Sequence, residues 1–431
     1  MVGRDKQSGA ESEMGMDYKL FNSVLYENSY RWRQAHTILC SRASSGVLQN
    51  AGDVHMPCYG VYPAGMRMFL FAVACPSALW LTVVYISFRQ SEVNMNEPLA
   101  AFRRTFRRAH ATANRLLREQ LPRDDSFLRE LMLSTLRGQE TADYAFVFEN
   151  AFCRRDSDVS RVGRMAGAVH LLQSSAFVTD DIFDHSDLRY GHAAVHKEYG
   201  ASYAIIAAEL MQSAALRTIS VELQLHGFPN ALAVMEILNR VVLDLYVGQY
   251  LDVRHTRNLR MTRQRYNRVI ALGVGFYFAN LARCGALLAG KTAAEVRSLT
   301  SFGYHYGMAL FISDDIVDVL DTSADTGKSS GRDLVNRRMR LPIMLALRMA
   351  NSRDARLLRR FMTETSTSRG KVREAVRVIQ RSGALEGCKK AAQHHVTQSI
   401  SALRRLSLTL PVQRLEWLSR TLLRTQGIGQ L

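Results

Sequence analysis

Where the prolines fall constrains this chain more than any other feature. Five of the eight (Pro57, Pro63, Pro76, Pro98, Pro122) lie in the first 122 residues, and only Pro229, Pro342 and Pro411 follow in the remaining 309. Proline removes a backbone donor and clashes with the preceding helical turn, so this spacing leaves room for long helices. Strand signals are weak there, with no series of alternating β-branched runs joined by Asn-Gly or Asp-Gly turns. Between Arg164 and Asp184, Met165, Val169, Leu172, Ala176 and Phe177 recur at three or four residues, and Phe302, Tyr306, Ala309 and Ile312 do the same. The sequence predicts one large all-α domain over 96–431, with no fixed-period repeat.

Residues 1–95 read as an N-terminal extension. Within it, 68–88 is a run of 21 residues without a charge between Arg67 and Arg89, long enough to cross a bilayer. The other readings are a buried segment or sequence absent from the mature protein; Pro76 is tolerated in a membrane helix but does not argue for one. Asp5, Glu11, Glu13 and Asp17 precede any apolar stretch, so no clean secretory signal opens the chain. Leu99–Arg118 carries six arginines and no acid, as organellar presequences do, but reads better as the first helix of the domain.

Composition narrows the class. At 47% hydrophobic and 22% charged residues, the chain is globular, not disordered or fibrous. Six scattered cysteines without a CxxC pair argue against a disulfide framework or a thiolate zinc site, and for a reducing compartment. The formal charge of +17 favours an anionic partner: nucleic acid, a lipid surface or a phosphorylated small molecule. The arginines are scattered and no nucleic-acid module is recognisable, so nucleic acid is the weakest of these.

Two acidic motifs carry the chemistry. Asp180-Asp181-Ile182-Phe183-Asp184 and Asp314-Asp315-Ile316-Val317-Asp318 both read DDxxD. With 21 aspartates in 431 residues, one such motif is expected by chance about 0.05 times. On a helix, positions i, i+1 and i+4 fall within about a 100° sector, so the three carboxylates of each motif are expected to face one way. Crowded carboxylates persist in a fold only with a compensating cation, and carboxylate oxygens suit Mg2+, which prefers one or two of them plus phosphate oxygens. Two such clusters across a cavity would clamp a diphosphate. Basic residues follow each motif: Arg189, His196 and Lys197 after the first, and Lys328 and Arg332 in Gly327–Leu334 after the second. Such cations recruit phosphate oxygens and stabilise charge on a departing diphosphate.

These stretches resemble the trans-isoprenyl diphosphate synthase (polyprenyl diphosphate synthase) family from about Asn96 onward. Residues 177–200 look like its first aspartate-rich region, and 303–342 like its second with the GKxxGxDL tail. Gly248-Gln249 with Asp252 resembles the GQxxD segment between them. The resemblance implies an isoprenoid-synthase-type bundle of long, mostly antiparallel helices around a deep central cavity, usually a dimer. It implies about three Mg2+ ions holding an allylic diphosphate, whose carbon–oxygen bond ionises before isopentenyl diphosphate attacks. Carried over, Asp180, Asp181, Asp184, Asp314 and Asp318 would be metal ligands and Asp315 a support. Arg189 and Lys328 would hold diphosphate, with Gln249, His196, Lys197 and Asp333 in the substrate site. The chain-length positions before the first motif are Ser175 and Ala176, both small: they leave room for a long product such as a quinone side chain, or are simply small helix-packing residues.

The sequence departs from that pattern elsewhere. Where the family has GGKRxRP, this chain has Arg137-Gly138-Gln139-Glu140-Thr141; RRG is Arg189-Tyr190-Gly191; the Lys-Thr pair is Gly273-Val274; and a glutamine is replaced by Phe311. Arg154, Arg155, Arg161 and Arg164 are the candidate substitutes for the lost cations. The reading is therefore a Mg2+-dependent long-chain prenyl transferase. Its alternative is a non-catalytic or regulatory subunit of a heteromeric polyprenyl diphosphate synthase. The GKxxGxDL tail sets both apart from terpene cyclases and squalene-type synthases. A homo- or heterodimer is expected, with a mitochondrial address suggested by the basic, proline-containing extension; a cytoplasmic or membrane-associated location is the alternative.

Overall fold

The computed structural model describes residues 96–139, 141–320, 331–365, 368–425 and 428. The extension over 1–95, its apolar run at 68–88 and Lys328 lie outside the described residues. Helices make up almost all of the rest: α1 (Asn96–Gln120), α2 (Ser126–Ser134), α3 (Asp143–Phe152), α4 (Gly163–Phe183), α5 (Val195–Glu198), α6 (Ala201–His226), α7 (Ala231–Arg254), α8 (Arg263–Ile270), α9 (Phe276–Leu288), α10 (Ala293–Val319), α11 (Arg332–Val335), α12 (Leu341–Met349), α13 (Ser352–Thr363), α14 (Arg369–Arg381), α15 (Ala384–Leu403) and α16 (Leu410–Thr425). The arginine-rich stretch from Leu99 is thus part of the first described helix.

Local chemistry sets several boundaries. Thr292 and Glu295 form a reciprocal capping box at the start of α10, and Asp125, Thr262, Asn351 and Ser368 each accept a backbone N–H at an N-cap. Pro342 falls in the first turn of α12, where its missing N–H costs nothing.

The core is one continuous apolar cluster running through the described helices. Helices α3 and α4 are its centre. Every residue of α3 from Tyr144 to Phe152 is buried, and so is every residue of α4 from Met165 to Ser175. The periodic apolar face read for α4 is therefore too narrow, because Gly167, His170, Gln173 and Ser174 are enclosed as well. Helix α10 packs along α9 and α15. Gly303 permits the first contact, since a Cβ there would overlap the Phe278 carbonyl. Between α8 and α9 the chain makes one π-helical turn, Ala271–Gly275, and Gly248 of α7 packs against it too closely for a side chain. That turn holds Gly273-Val274.

The all-α expectation holds with one small addition. Leu188-Arg189 pairs antiparallel with His192-Ala193, and Tyr190 and Gly191 both take positive φ, as a two-residue type I′ turn requires. The turn carries Tyr-Gly, not the Asn-Gly or Asp-Gly that signals a hairpin, and so was invisible to that rule.

Candidate active site

The two acidic motifs end α4 and α10, and the segment 331–340 ties these ends together. Gly331, at φ +76°, donates its N–H to the Asp318 carbonyl. The amides of Arg332 and Asp333 then donate to the two Asp318 carboxylate oxygens at 2.9 and 3.0 Å. Only glycine enters this left-handed turn without strain, which accounts for its place in the tail motif. The Arg332 guanidinium reaches back to Ser186, two residues past the first motif, at 2.5 Å. Asn336 donates to the Asp184 carbonyl at 2.8 Å. Arg338 pairs with Asp184 at 3.2 Å and with Asp252 of α7 at 3.1 Å. Arg340 pairs with Asp252 at 2.7 Å and with Asp333 at 3.1 Å, and lies 3.6 Å from Asp315. The two motifs and the GQxxD segment thus share one site.

Within each motif the members divide. Asp181 and Asp315 are buried, whereas Asp180 is partly open and Asp314 is exposed. The carboxylates of a motif thus differ in exposure, although Asp180 and Asp181 both accept from Nη2 of Arg189. Both Asp181 oxygens accept from Arg189, at 2.7 to 3.1 Å, and Arg189 also reaches Asp180 at 3.1 Å. The hairpin aims Arg189 back at α4, where its guanidinium lies over the Phe177 ring at 5.0 Å. Asp315 accepts from the Tyr266 hydroxyl at 2.7 Å and from the Leu341 amide at 3.3 Å.

Burial and neighbouring carboxylates raise several of the acids. Burial, with Asp180 beside it, pushes Asp184 up to about 8 against the opposing pull of Arg340. Burial and Asp333 push Asp318 up to about 7. Asp143, the first residue of α3, rises to about 6 through burial and the charge of Asp314. Burial, then Tyr277, Asp143, Asp314 and Asp180, raise the Tyr144 hydroxyl well above its ordinary value, so aspartates of both motifs lie within electrostatic reach of one ring. Beside the acids the bundle is filled by aromatic side chains: Tyr144 packs on Tyr277 and Phe278, at 4.5 and 4.4 Å, and Phe278 on Tyr306 at 4.9 Å.

Other expected residues fall as follows. Gln249 lies on α7, with a buried amide nitrogen that has no partner among the described residues. Both ring nitrogens of His196 are buried without partners among the described residues, near the charges of Asp181 and Asp187. Lys197 forms an exposed pair with Asp187 at 2.9 Å, away from the acid cluster. Asp333 faces Arg340. Ser175 is buried with its hydroxyl on the Leu172 carbonyl, and Ala176 is half-buried. At the GGKRxRP position, Arg137 pairs with Glu198 at 3.2 Å, and the Gln139 carbonyl is occupied by Ser174 at 2.7 Å. A cavity of about 20 Å³, room for one water, lies between this segment, Arg189 and Tyr190. Three of the four candidate substitute arginines are engaged elsewhere: Arg154 with Glu295, Arg161 over Phe152 and Phe228, Arg164 with Glu119 and Glu222. Sequence reasoning missed Arg338 and Arg340; the clue was a basic run, Arg337-Arg338-Met339-Arg340, leading into buried Leu341.

No three His, Cys, Asp or Glu side chains among the described residues form a ready-made metal cage. The donor set nonetheless suits Mg2+, which takes one or two carboxylates and completes its octahedron with water and phosphate oxygens. The raised acids are what such an ion would relieve.

A helical bundle with two aspartate-rich helix ends gathered by arginines is the architecture of the isoprenoid synthases. The chain belongs to the polyprenyl synthetase family, whose profile matches residues 131–379, and at that level it is a trans-prenyl diphosphate synthase. It is 29% identical over 232 residues to the short chain isoprenyl diphosphate synthase of Methanothermobacter thermautotrophicus, covering 54% of this chain and 70% of that one. It is 24% identical over 239 residues to the octaprenyl diphosphate synthase of Escherichia coli, covering 56% and 72%. In fold it resembles the polyprenyl synthase of Caulobacter crescentus complexed with calcium and isoprenyl diphosphate (TM-score 0.68, 22% identity, 75% of this chain and 97% of that one). It also resembles the geranylgeranyl pyrophosphate synthase of Corynebacterium glutamicum complexed with isoprenyl diphosphate and magnesium (TM-score 0.67, 21% identity, 74% and 98%). These two likenesses concern fold alone.

Proposed function

We propose that this chain condenses isopentenyl diphosphate with an allylic diphosphate to make a long-chain trans-polyprenyl diphosphate. The observation that carries this is the convergence of Asp180, Asp184, Asp314 and Asp318 at one end of the bundle. Those four, as members i and i+4 of their motifs, are the proposed Mg2+ ligands, about three ions in all. Asp181 and Asp315 hold the motifs in place. Bound Mg2+ would neutralise diphosphate oxygens and stabilise the leaving group. Arg332 and Arg338, on the segment joining the motifs, are placed to add positive charge there, and Arg189 would share its hold on Asp180 with substrate. The aromatic side chains of α3, α9 and α10 fill one side of the bundle, so the growing tail is proposed to run along α4, past Ser175 and Ala176. A quinone side chain is the proposed use of such a product.

A specific observation favours the alternative, a non-catalytic or regulatory subunit: at the GGKRxRP position the Gln139 side chain is bonded to Ser174 within the core and Arg137 is paired with Glu198. A dimer with a related subunit is proposed in either case. It would cover the exposed apolar side chains of α6 and α7, among them Ile205, Ile206, Leu225, Leu243 and Tyr250, and Leu232, which is 88% exposed. The mitochondrial address and membrane association are proposed on the N-terminal extension alone. Full-length protein with Mg2+, an allylic diphosphate and labelled isopentenyl diphosphate tests the reading. Elongation by the chain alone, lost in Asp180→Ala, is expected. Elongation only with a partner chain, unchanged by Asp180→Ala, would replace it with the subunit reading.

A further inference from the structure

We infer that Arg340 is a built-in counter-ion of the acidic site: a positioning residue whose fixed guanidinium does for Asp252, Asp315 and Asp333 what a further divalent ion would otherwise do. The inference rests on the metal–diphosphate reading above and concerns this chain's own cation. Asp252, Asp315 and Asp333 come from α7, α10 and α11, and the first two are buried. Three carboxylates at such a place repel one another and lose hydration, so the fold needs positive charge among them.

Arg340 is 8% exposed and supplies it. Nη1 and Nη2 bind the two Asp252 oxygens at 2.7 and 3.1 Å, a bidentate fork. Nε binds Asp333 at 3.1 Å and faces Asp315 at 3.6 Å. The guanidinium carbon lies over the Phe311 ring, 5.1 Å from its centroid. A planar cation can bind acids at its edge and an aromatic ring on its face; a hydrated metal ion or a lysine cannot do both. Phe311 stands on α10 one helical turn before Asp314, at a position where the sequence departs from the family pattern. That departure and Arg340 are in contact.

The effect extends to both motifs. Arg340 fixes Asp252; Asp252 also receives Arg338, and Arg338 holds Asp184. This side of the site is therefore held together before any divalent ion arrives, and divalent ions are left to Asp180, Asp184, Asp314 and Asp318. Arg340 touches no reacting group.

The test uses full-length protein, with Mn2+ counted by electron paramagnetic resonance in the presence of inorganic diphosphate and with thermal melting across a Mg2+ titration. In Arg340→Met, bound Mn2+ is expected to rise by about one ion per chain. Its melting temperature is expected to fall by several degrees in chelator and to recover with Mg2+, while the wild type barely responds to Mg2+ without diphosphate. An unchanged Mn2+ count together with an unchanged Mg2+ response overturns the inference. If Arg340→Met does not fold even in Mg2+, Arg340→Lys decides. It keeps the charge but loses the fork and the ring contact, and its melting temperature should rise with Mg2+ in the absence of diphosphate; a response as small as that of the wild type overturns the inference. Wild type that binds no Mn2+ with diphosphate would instead remove the proposed function.

Discussion

Asp181 and Asp315 occupy the same place in their motifs and are equally buried, yet they are held differently. Asp181 is gripped by one arginine on a two-residue hairpin at the surface. Asp315 is held by the Tyr266 hydroxyl, the Leu341 amide and an arginine that it shares with Asp252 and Asp333. The first grip can loosen with the hairpin, whose Tyr190 meets the Thr141 hydroxyl and the Phe177 ring. The second cannot, because α7, α8, α10 and α12 all meet in it. The comparison points to a division of labour: the second motif is a fixed platform, and the first, through Arg189, is the side that can answer to substrate.

The largest expected effect separates outward from inward aspartates. Asp180→Asn and Asp314→Asn should each lower kcat/KM by about 10³-fold, the scale of losing one preorganised electrostatic group, with little change in melting temperature. Incorporation of labelled isopentenyl diphosphate beside a thermal melt measures both. Next comes the contrast between the inward pair. Asp315→Ala leaves Arg340 and Tyr266 facing a gap and should cost about 3–5 kcal/mol, as when one member of a buried ion pair is removed. Asp181→Ala should cost less, about 1–3 kcal/mol, because the Arg189 hairpin can turn toward water. Equal denaturant midpoints for the two variants would break the proposed asymmetry.

The outline of this site was legible in the sequence because both of its main signals are local. Sparse prolines and 3.6-residue spacing place α4 and α10, and DDxxD places acids at their ends. What was not legible depends on the third dimension. A helical wheel gives the angle between Asp180 and Asp181 but not which edge of the sector meets the core. Arg338 and Arg340 look like part of a solvated basic run, and only the fold of 331–340 across both motifs buries them against aspartates. Arg154, Arg161 and Arg164 lie near the first motif in sequence, yet helix direction sends them to Glu295, Phe152 and Glu222. The Tyr190-Gly191 turn escaped a rule that looks for Asn-Gly, because a tyrosine at φ +52° is rarely chosen there.

A smaller effect tests the platform through its backbone. Gly331→Ala must hold φ near +76° with its new methyl against Val372. The cost should be about 1–2 kcal/mol. The same strain would move the Arg332 and Asp333 amides off Asp318, so the Mg2+ concentration giving half-maximal activity should rise. The corresponding change at the first motif, Gly191→Ala, has open space around its Cβ and should affect stability through φ alone.

The smallest expected effect concerns acid, and here the two motif helices can again be set side by side. His170 of α4 is fully buried, with Nε2 3.4 Å from Nδ1 of His110 on α1. His305 of α10 meets His395 of α15 at 2.9 Å, and both are only partly buried. Burial, then His110, depresses His170 to about 3, and burial, then His305, depresses His395 to about 4. A depressed histidine stays neutral in the native state while the unfolded chain takes up a proton. Its contribution is therefore complete above about pH 6.5 and is lost as the pH falls toward the native value, at up to about 1.4 kcal/mol per pH unit for each such group. Between pH 6.5 and 5.5 the wild type should thus lose stability, and His170→Gln, which removes the group from α4, should flatten that slope by about 1 kcal/mol. His395→Gln should flatten it by a similar amount over the same interval and by less below about pH 5, where the His395 pair, with its higher native value, begins to take up a proton. Denaturant midpoints across that pH range, with the two variants in parallel, measure the difference. A steeper dependence on His395 than on His170 would place the acid-sensitive packing on the platform helix instead of on α4.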